Sequence, residues 1–249
     1  MDDIVSSATC DNLIHDFAIN MSNTFEMSMV SELTFFLGLQ VKQLDEGNFI
    51  SQLKFVKELV KKFGLKDSKH VQTLFSTSSK LDRDSDPNKV DPSLYRSMIG
   101  NLLYMAASRL NISFSVGVCT RYQADPRERH VLAVKCIIRY VNSTLNYKLR
   151  YSSESNFKIA CYTNADWAGN KDDRKSTSGG CFYVSTNLVS WYSKKQKYIS
   201  LSSCEAEYIV TGSYCTQLVW MKQMLLDYEV DQGTIATFYD NTSTINILN

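Results

Sequence analysis

The side chains with the most chemical potential lie in the last third of the chain. Ser202-x-x-Glu205-x-Glu207 sets two carboxylates at the start of a helical pattern, and Lys194-Lys195-Gln196-Lys197 is the strongest local run of positive charge. Serine followed three residues later by glutamate is a capping box, so Glu205 has a structural task at the helix start. Glu207 lies two positions on, roughly 200° around the helix at ~100° per residue. The two carboxylates therefore point to nearly opposite sides, and only one can face a shared site. The lysine run suits phosphate groups, or else a solvated turn between a strand and the helix. Zinc chemistry does not fit. The seven cysteines (Cys10, Cys119, Cys136, Cys161, Cys181, Cys204 and Cys215) form no Cys-x-x-Cys pair, and His15, His70 and His130 are dispersed. Reduced thiols in a cytoplasmic or nuclear setting are the expectation.

Composition narrows the partners. Lys and Arg total 27 against 26 acids, so no global basic field advertises nucleic acid, and any such surface must be a local patch. A chain of 249 residues, 44% hydrophobic and 12% aromatic, has room for one large or two small globular domains. Met1-Asp2-Asp3-Ile4 is acidic where a signal peptide is basic, and no apolar run approaches the ~18 residues that span a bilayer. The chain is expected to be intracellular, with no membrane partner.

Tyr162-Thr-Asn-Ala-Asp-Trp-Ala-Gly169, Asp172-Asp-Arg-Lys-Ser-Thr-Ser-Gly179, Val189-Ser-Trp191 and Leu201-Ser-Ser-Cys-Glu-Ala-Glu-Tyr208 follow one another in an order and spacing that resembles the ribonuclease H domain of copia-type retrotransposon polyproteins. Leu33 to Leu39, Lys80-Leu81-Asp82, Tyr95 to Tyr104 and Ser108-Arg109 resemble the back half of the reverse transcriptase of the same family. The resemblance implies an α+β or α/β chain. A partial reverse-transcriptase palm (1–68) and a linker with a helical thumb or connection layer (69–150) would precede an incomplete ribonuclease-H-like mixed sheet with helices (151–249). It also implies RNA-directed DNA synthesis and Mg²⁺-dependent cleavage of RNA in RNA–DNA hybrids as the ancestral activities, with hybrids and other Pol fragments as partners.

What the resemblance implies for individual residues is less favourable to activity. Glu207 in Ala206-Glu207-Tyr208 and Asp240 in Tyr239-Asp240-Asn241 match metal-binding acids of the family. Asn164 stands where the family has its first metal-binding aspartate, and Asp2 and Asp3 match the polymerase aspartate pair without its tyrosine. Lys194, Lys195 and Lys197 would contact hybrid phosphates. A two-ion site needs several carboxylates to neutralise and hold each ion, whereas an asparagine amide offers one neutral oxygen. Asp166 shares a strand face with Asn164 but lies about 6.5 Å along it, against ~2.1 Å for a Mg²⁺–oxygen bond. A further family aspartate would fall beyond Asn249. The expectation is a copy that is catalytically inactive with impaired Mg²⁺ binding. The alternatives are a non-catalytic nucleic-acid-binding module or a domesticated protein-interaction domain.

The elements that must position these residues follow from periodicity. Helical spacing marks Cys10 to Phe25, with one buried face, and Leu53 to Leu65; alternation around Asp45-Glu46-Gly47-Asn48 marks a hairpin over 33–52. Lys66 to Asp91 is polar and reads as a linker, and Asp91-Pro92 then caps a helix that buries Leu94, Met98, Ile99, Leu102 and Leu103. Helices follow at 112–122 and 127–141, then strands at 157–163, 180–184 and 188–192, a helix from about 202 to 228 and a strand at 234–239. A half palm would leave the hairpin edge unpaired, which predicts aggregation or oligomerisation.

Overall fold

A computed structural model describes residues 4–28, 32–74, 80–83, 86–153 and 156–248; Asp2 and Asp3 lie outside them. The first core forms where four helices bring their apolar stripes together. Helix α2 (Leu53–Lys62) contributes Val56, Leu59 and Val60, and α3 (Pro92–Ala106) contributes Tyr95, Met98, Ile99, Leu102 and Met105. From α4 (Leu110–Cys119) come Ile112, Val116 and Cys119, and from α5 (Glu128–Ser143) Val134, Ile137, Ile138 and Val141. Asp91 caps α3 as its position before Pro92 suggests, accepting from the Ser93 and Leu94 N–H groups at 2.9 and 3.3 Å. The stripe is turned by one position from expectation: Tyr95 is fully buried, whereas Leu94 and Leu103 are 45% and 49% exposed. Tyr95 takes the interior place because its hydroxyl donates to the Cys119 carbonyl at 2.8 Å, joining α3 to the end of α4.

The supposed linker is partly interior. Leu81 packs in this core, and Asp82 is 5% exposed. Arg129 and Lys171 both pair with the Asp82 carboxylate, and a ring nitrogen of the fully buried His130 lies 2.9 Å from the Asp82 carbonyl oxygen. Burial lowers the His130 pKa, and its ring stacks on Tyr122 at 4.0 Å. The segment therefore clasps α5 to the loop that carries Lys171. A buried carboxylate needs such partners, because leaving it unpaired would cost several kcal/mol on the order of the ion's desolvation.

The hairpin is present as β2 (Leu39–Leu44) and β3 (Gly47–Ser51), with β1 (Phe35–Phe36) beside β2. It is not left open. Strand β4 (Leu149–Ser152) pairs antiparallel with β3, from Gly47↔Ser152 to Ile50↔Leu149. Gly47 is required there: its φ is +130°, and a Cβ would sit 2.1 Å from the Tyr151 carbonyl oxygen. Helix α1 (Asp11–Thr24) also departs from expectation. It forms, but it buries no residue; Leu13 and Phe17 remain 55% and 42% exposed.

The second core lies under a four-stranded mixed sheet with the order β7-β6-β5-β8. Strands β5 (Ile159–Asp166), β6 (Thr177–Val184) and β7 (Asn187–Lys195) run antiparallel to their neighbours, and β8 (Ala236–Phe238) runs parallel to β5. Helix α6 (Ser203–Leu226) covers one face, placing Val210, Tyr214, Leu218 and Met221 on Ile159, Cys161 and Phe182. Helix α7 (Thr242–Leu248) returns to the start of α6, where the fully buried Thr244 hydroxyl meets the Cys204 carbonyl at 3.4 Å. The chain is thus α+β with mixed and antiparallel sheets.

Candidate functional site

Strand alternation decides what faces outward. Ile159, Cys161 and Thr163 of β5 are buried on the α6 side, whereas Tyr162, Asn164 and Asp166 are exposed on the other. Tyr162 is level with Phe238 in the parallel ladder, and the two rings stack at 4.8 Å. Asn164 follows two residues on in β5, and Asp240 lies just beyond the end of β8.

Glu207 comes from the first turns of α6. It is 4% exposed, and its Oε1 accepts the Ala165 N–H at 2.6 Å, next to Asn164 in the chain. Its Oε2 is buried with no hydrogen-bond partner, and so is the Thr163 hydroxyl. Burial raises the Glu207 carboxyl above the usual glutamate range; the Ala165 N–H opposes that rise and the charge on Asp240 adds to it. Glu205 faces elsewhere, held at the helix start, though its carboxylate reaches the residue before the N-cap rather than Ser202 itself. The Ser202 hydroxyl accepts the Glu205 N–H at 3.1 Å, and Glu205 Oε2 accepts the Leu201 N–H at 2.7 Å.

The structure thus brings Glu207 and Asp240 close enough to interact, whereas the Asn164 side chain, next to the Ala165 anchor in the chain, lies on the sheet face away from α6. The orphaned Glu207 Oε2 is the kind of atom a cation would satisfy. The set as a whole does not fit a pair of divalent ions, because two carboxylates and one amide are all it offers. Among the described residues no three His, Cys, Asp or Glu side chains come together. Asp166 does not fill the gap: its carboxylate lies over Gly169, where a Cβ would fall 1.5 Å from Oδ2. The elevated pKa carries a stability prediction. A carboxyl whose folded pKa is raised binds its proton more tightly when folded, so the contribution of Glu207 to stability is greatest at low pH. It falls as pH rises from the unfolded value of ~4.3 through the folded one. Glu207→Gln should remove that decline, leaving a melting temperature at pH 7 no lower than that of the unmutated chain. Thermal melts from pH 4 to 8 would show a persisting decline if Glu207 were not its source.

The lysines do not form one patch. Lys195 is paired with Asp173 at 2.6 Å, its neighbour Lys194 points to the opposite sheet face, and Lys197 lies in the turn beyond β7. The residue between them was missed by sequence reasoning. Gln196 is 6% exposed; its amide donates to the Ser178 hydroxyl and to the Ala206 carbonyl, and its oxygen accepts from Ser200. It fastens the end of β7 to the start of α6, one residue from Glu207. Trp167 does similar work, its indole N–H donating to the Ser200 carbonyl at 3.1 Å. A glutamine within a basic run gives no sequence signal for such a role, because its partners lie on three different segments.

A family described as "Reverse transcriptase (RNA-dependent DNA polymerase)" matches residues 1–76, the stretch that includes Asp2 and Asp3. The Retrovirus-related Pol polyprotein from transposon RE1 of Arabidopsis thaliana is 33% identical over 91% of this chain and 16% of its own length. That from transposon TNT 1-94 of Nicotiana tabacum is 30% identical over 99% of this chain and 19% of its own length. An uncharacterized mitochondrial protein of Arabidopsis thaliana is 30% identical over 88% of this chain and 91% of its own length. The chain thus spans less than a fifth of the Pol polyproteins it matches. No solved structure matches it.

Proposed function

The chain belongs to the copia-type retrotransposon Pol family, and on that premise we propose that it is a piece of a reverse transcriptase–ribonuclease H whose nuclease site has lost its metal-binding set. In this reading residues 1–68 descend from the palm, 69–150 form a linker and a thumb or connection layer, and 151–249 are the ribonuclease-H-like part. The ancestral activities are RNA-directed DNA synthesis and cleavage of RNA in RNA–DNA hybrids. In the intact family Mg²⁺ supplies the charge that stabilises the displaced oxygens. The observation that carries the reading is an amide, Asn164, beside the residue whose N–H binds Glu207, which in turn feels the charge of Asp240.

Without that set, the chain's own residues can still hold a hybrid. Lys194 and Lys197 are exposed near the site, and burial of Glu207 reduces the negative charge presented to phosphate. No helix among the described residues is long and apolar enough to cross a membrane, and the proposed setting is the cytoplasm or nucleus. A labelled hybrid incubated with the chain and Mg²⁺ should be shifted but not cut. The shift should weaken with salt, and Lys194→Ala with Lys197→Ala should reduce the logarithmic salt slope by about two. Cleavage by the unmutated chain would contradict the proposal. A second reading, a protein-interaction domain, is favoured by Val219 and Trp220 of α6, which are 70% and 56% exposed. That surface and the uncovered α1 also favour self-association. Absence of any shift at low salt would select this reading.

A further inference from the structure

Helices α3 and α4 cover only part of the outer face of the second sheet. They meet it along β7: the Trp191 indole donates to the Ala106 carbonyl at 3.0 Å, and Gly117 of α4 faces Ser193. Between α4 and β5 this leaves a groove of about 600 Å³, within the range of small-ligand sites (~300–1,000 Å³). Its floor is opened by Gly179, where a Cβ would meet nothing nearer than the Asn164 carbonyl oxygen at 3.8 Å. Phe114, Tyr162 and Trp167 line it and are 39%, 47% and 46% exposed. Its polar groups are mostly neutral, among them Ser113, Asn164 and Ser193. Asp166 is the one acid in the lining, and no Lys, Arg or His contributes to it.

A second cavity of about 680 Å³ adjoins it, sharing Ser113, Tyr192 and Ser193, and its character is the reverse. Arg121, Lys194 and Lys195 line it; of the two lysines Lys195 shares the β7 face of Trp191 and Ser193, and it also pairs with Asp173 at 2.6 Å. The Arg121 guanidinium donates to the Thr177 hydroxyl at 2.8 Å, and Thr177 also lines the first groove. An aromatic, hydrogen-bonding slot therefore leads into a basic one.

We propose that this pair of cavities binds one unpaired nucleotide of a single strand, with the base in the aromatic groove and the phosphate toward Arg121 and Lys195. Flat heteroaromatic rings with donors and acceptors on their edges match the groove, because every base has a face to stack and an edge for Asn164, Ser113 or Ser193. The cations beside it match the phosphate and disfavour a basic peptide. A duplex does not fit, since its bases are held in the stack and would have to be extruded. The inference rests on the nucleic-acid reading for its class of partner, but it assigns different phosphate-binding cations and a different substrate form from the hybrid.

Fluorescence anisotropy with the full chain separates the two. The probes are a labelled hexa-adenylate, an abasic hexamer of the same length and an RNA–DNA hybrid. The hexa-adenylate should bind about tenfold more tightly than the abasic strand, a ratio set by base–aromatic stacking. Gly179→Leu fills the groove and should erase that ratio; Phe114→Ala, which leaves Tyr162 and Trp167 in place, should reduce it several-fold without erasing it. If Gly179→Leu does not fold, Phe114→Ala and Gly179→Ala carry the test, the second leaving the fold intact because its Cβ has space. Equal binding of the two hexamers, or an undiminished ratio in the groove variants, overturns the proposal. Binding of hybrid without hexa-adenylate rejects the groove and keeps the hybrid reading. The reverse result keeps the groove and rejects the hybrid, and no binding at all rejects both.

Discussion

Phe182→Ala should destabilise the sheet–helix half of the chain by about 3–5 kcal/mol, the range for removing a fully buried aromatic ring. Phe182 is 0% exposed at the centre of β6 and packs in the cluster that α6 closes with Val210 and Tyr214. Its ring centroid lies 6.1 Å from that of Tyr192. The neighbouring strands are fixed by their ladders and α6 is anchored at its start by Gln196, so the walls cannot collapse into the space left behind. In urea, with a slope of ~1–3 kcal/mol per molar, the transition of this half should move down by more than about 1 M. Signals from the first core should move less, because its buried residues form a separate cluster around Tyr95 and Ile137. A loss under about 1 kcal/mol would mean that Phe182 is not the keystone its burial suggests.

The same contrast between local and distant partners explains what could be read from the sequence. Capping at Ser202 and Asp91, the turn before Gly47, the helical stripes of α2, α3 and α5 and the three antiparallel strands all announce themselves within a few residues. Strand β4 does not. Leu149-Arg-Tyr-Ser152 is short, and only its pairing with β3, about a hundred residues earlier, makes it a strand. Asp82 and Gln196 look like surface residues by type, yet each is buried because several distant segments bring partners to it. The apolar spacing of α1 gave the opposite error: an amphipathic pattern states that a helix has an apolar face, not that the fold supplies something to cover it. At the candidate site, the opposed directions of Glu205 and Glu207 were legible from helical geometry. The Ala165 N–H as the Glu207 partner was not, because it depends on how α6 docks on β5.

Asn164→Asp should have the largest effect on function. It would restore a carboxylate next in the chain to Ala165, whose N–H anchors Glu207, and so add to the proposed ligand set for a divalent ion. Carboxylates that share ions act as a unit, so the gain should depend on the others rather than add to them. In the Asn164→Asp background, Glu207→Gln should return activity to zero. Glu205→Gln should cost only the helix cap, about 1 kcal/mol of stability. The reverse pattern would mean that Glu205 is the helical ligand. The rescue should be modest, because no further cluster of His, Cys, Asp or Glu supports these three among the described residues.

The measurement that bears most directly on the proposed loss of the metal-binding set is cleavage of labelled RNA in an RNA–DNA hybrid, with Mg²⁺ or with chelator, by the unmutated chain and by Asn164→Asp. The unmutated chain should leave the RNA intact under both conditions, and Asn164→Asp should cut it only with Mg²⁺, on the order of tenfold above background or more. Equal Mg²⁺-dependent cleavage by the two proteins would show that Asn164 is not what disables the site.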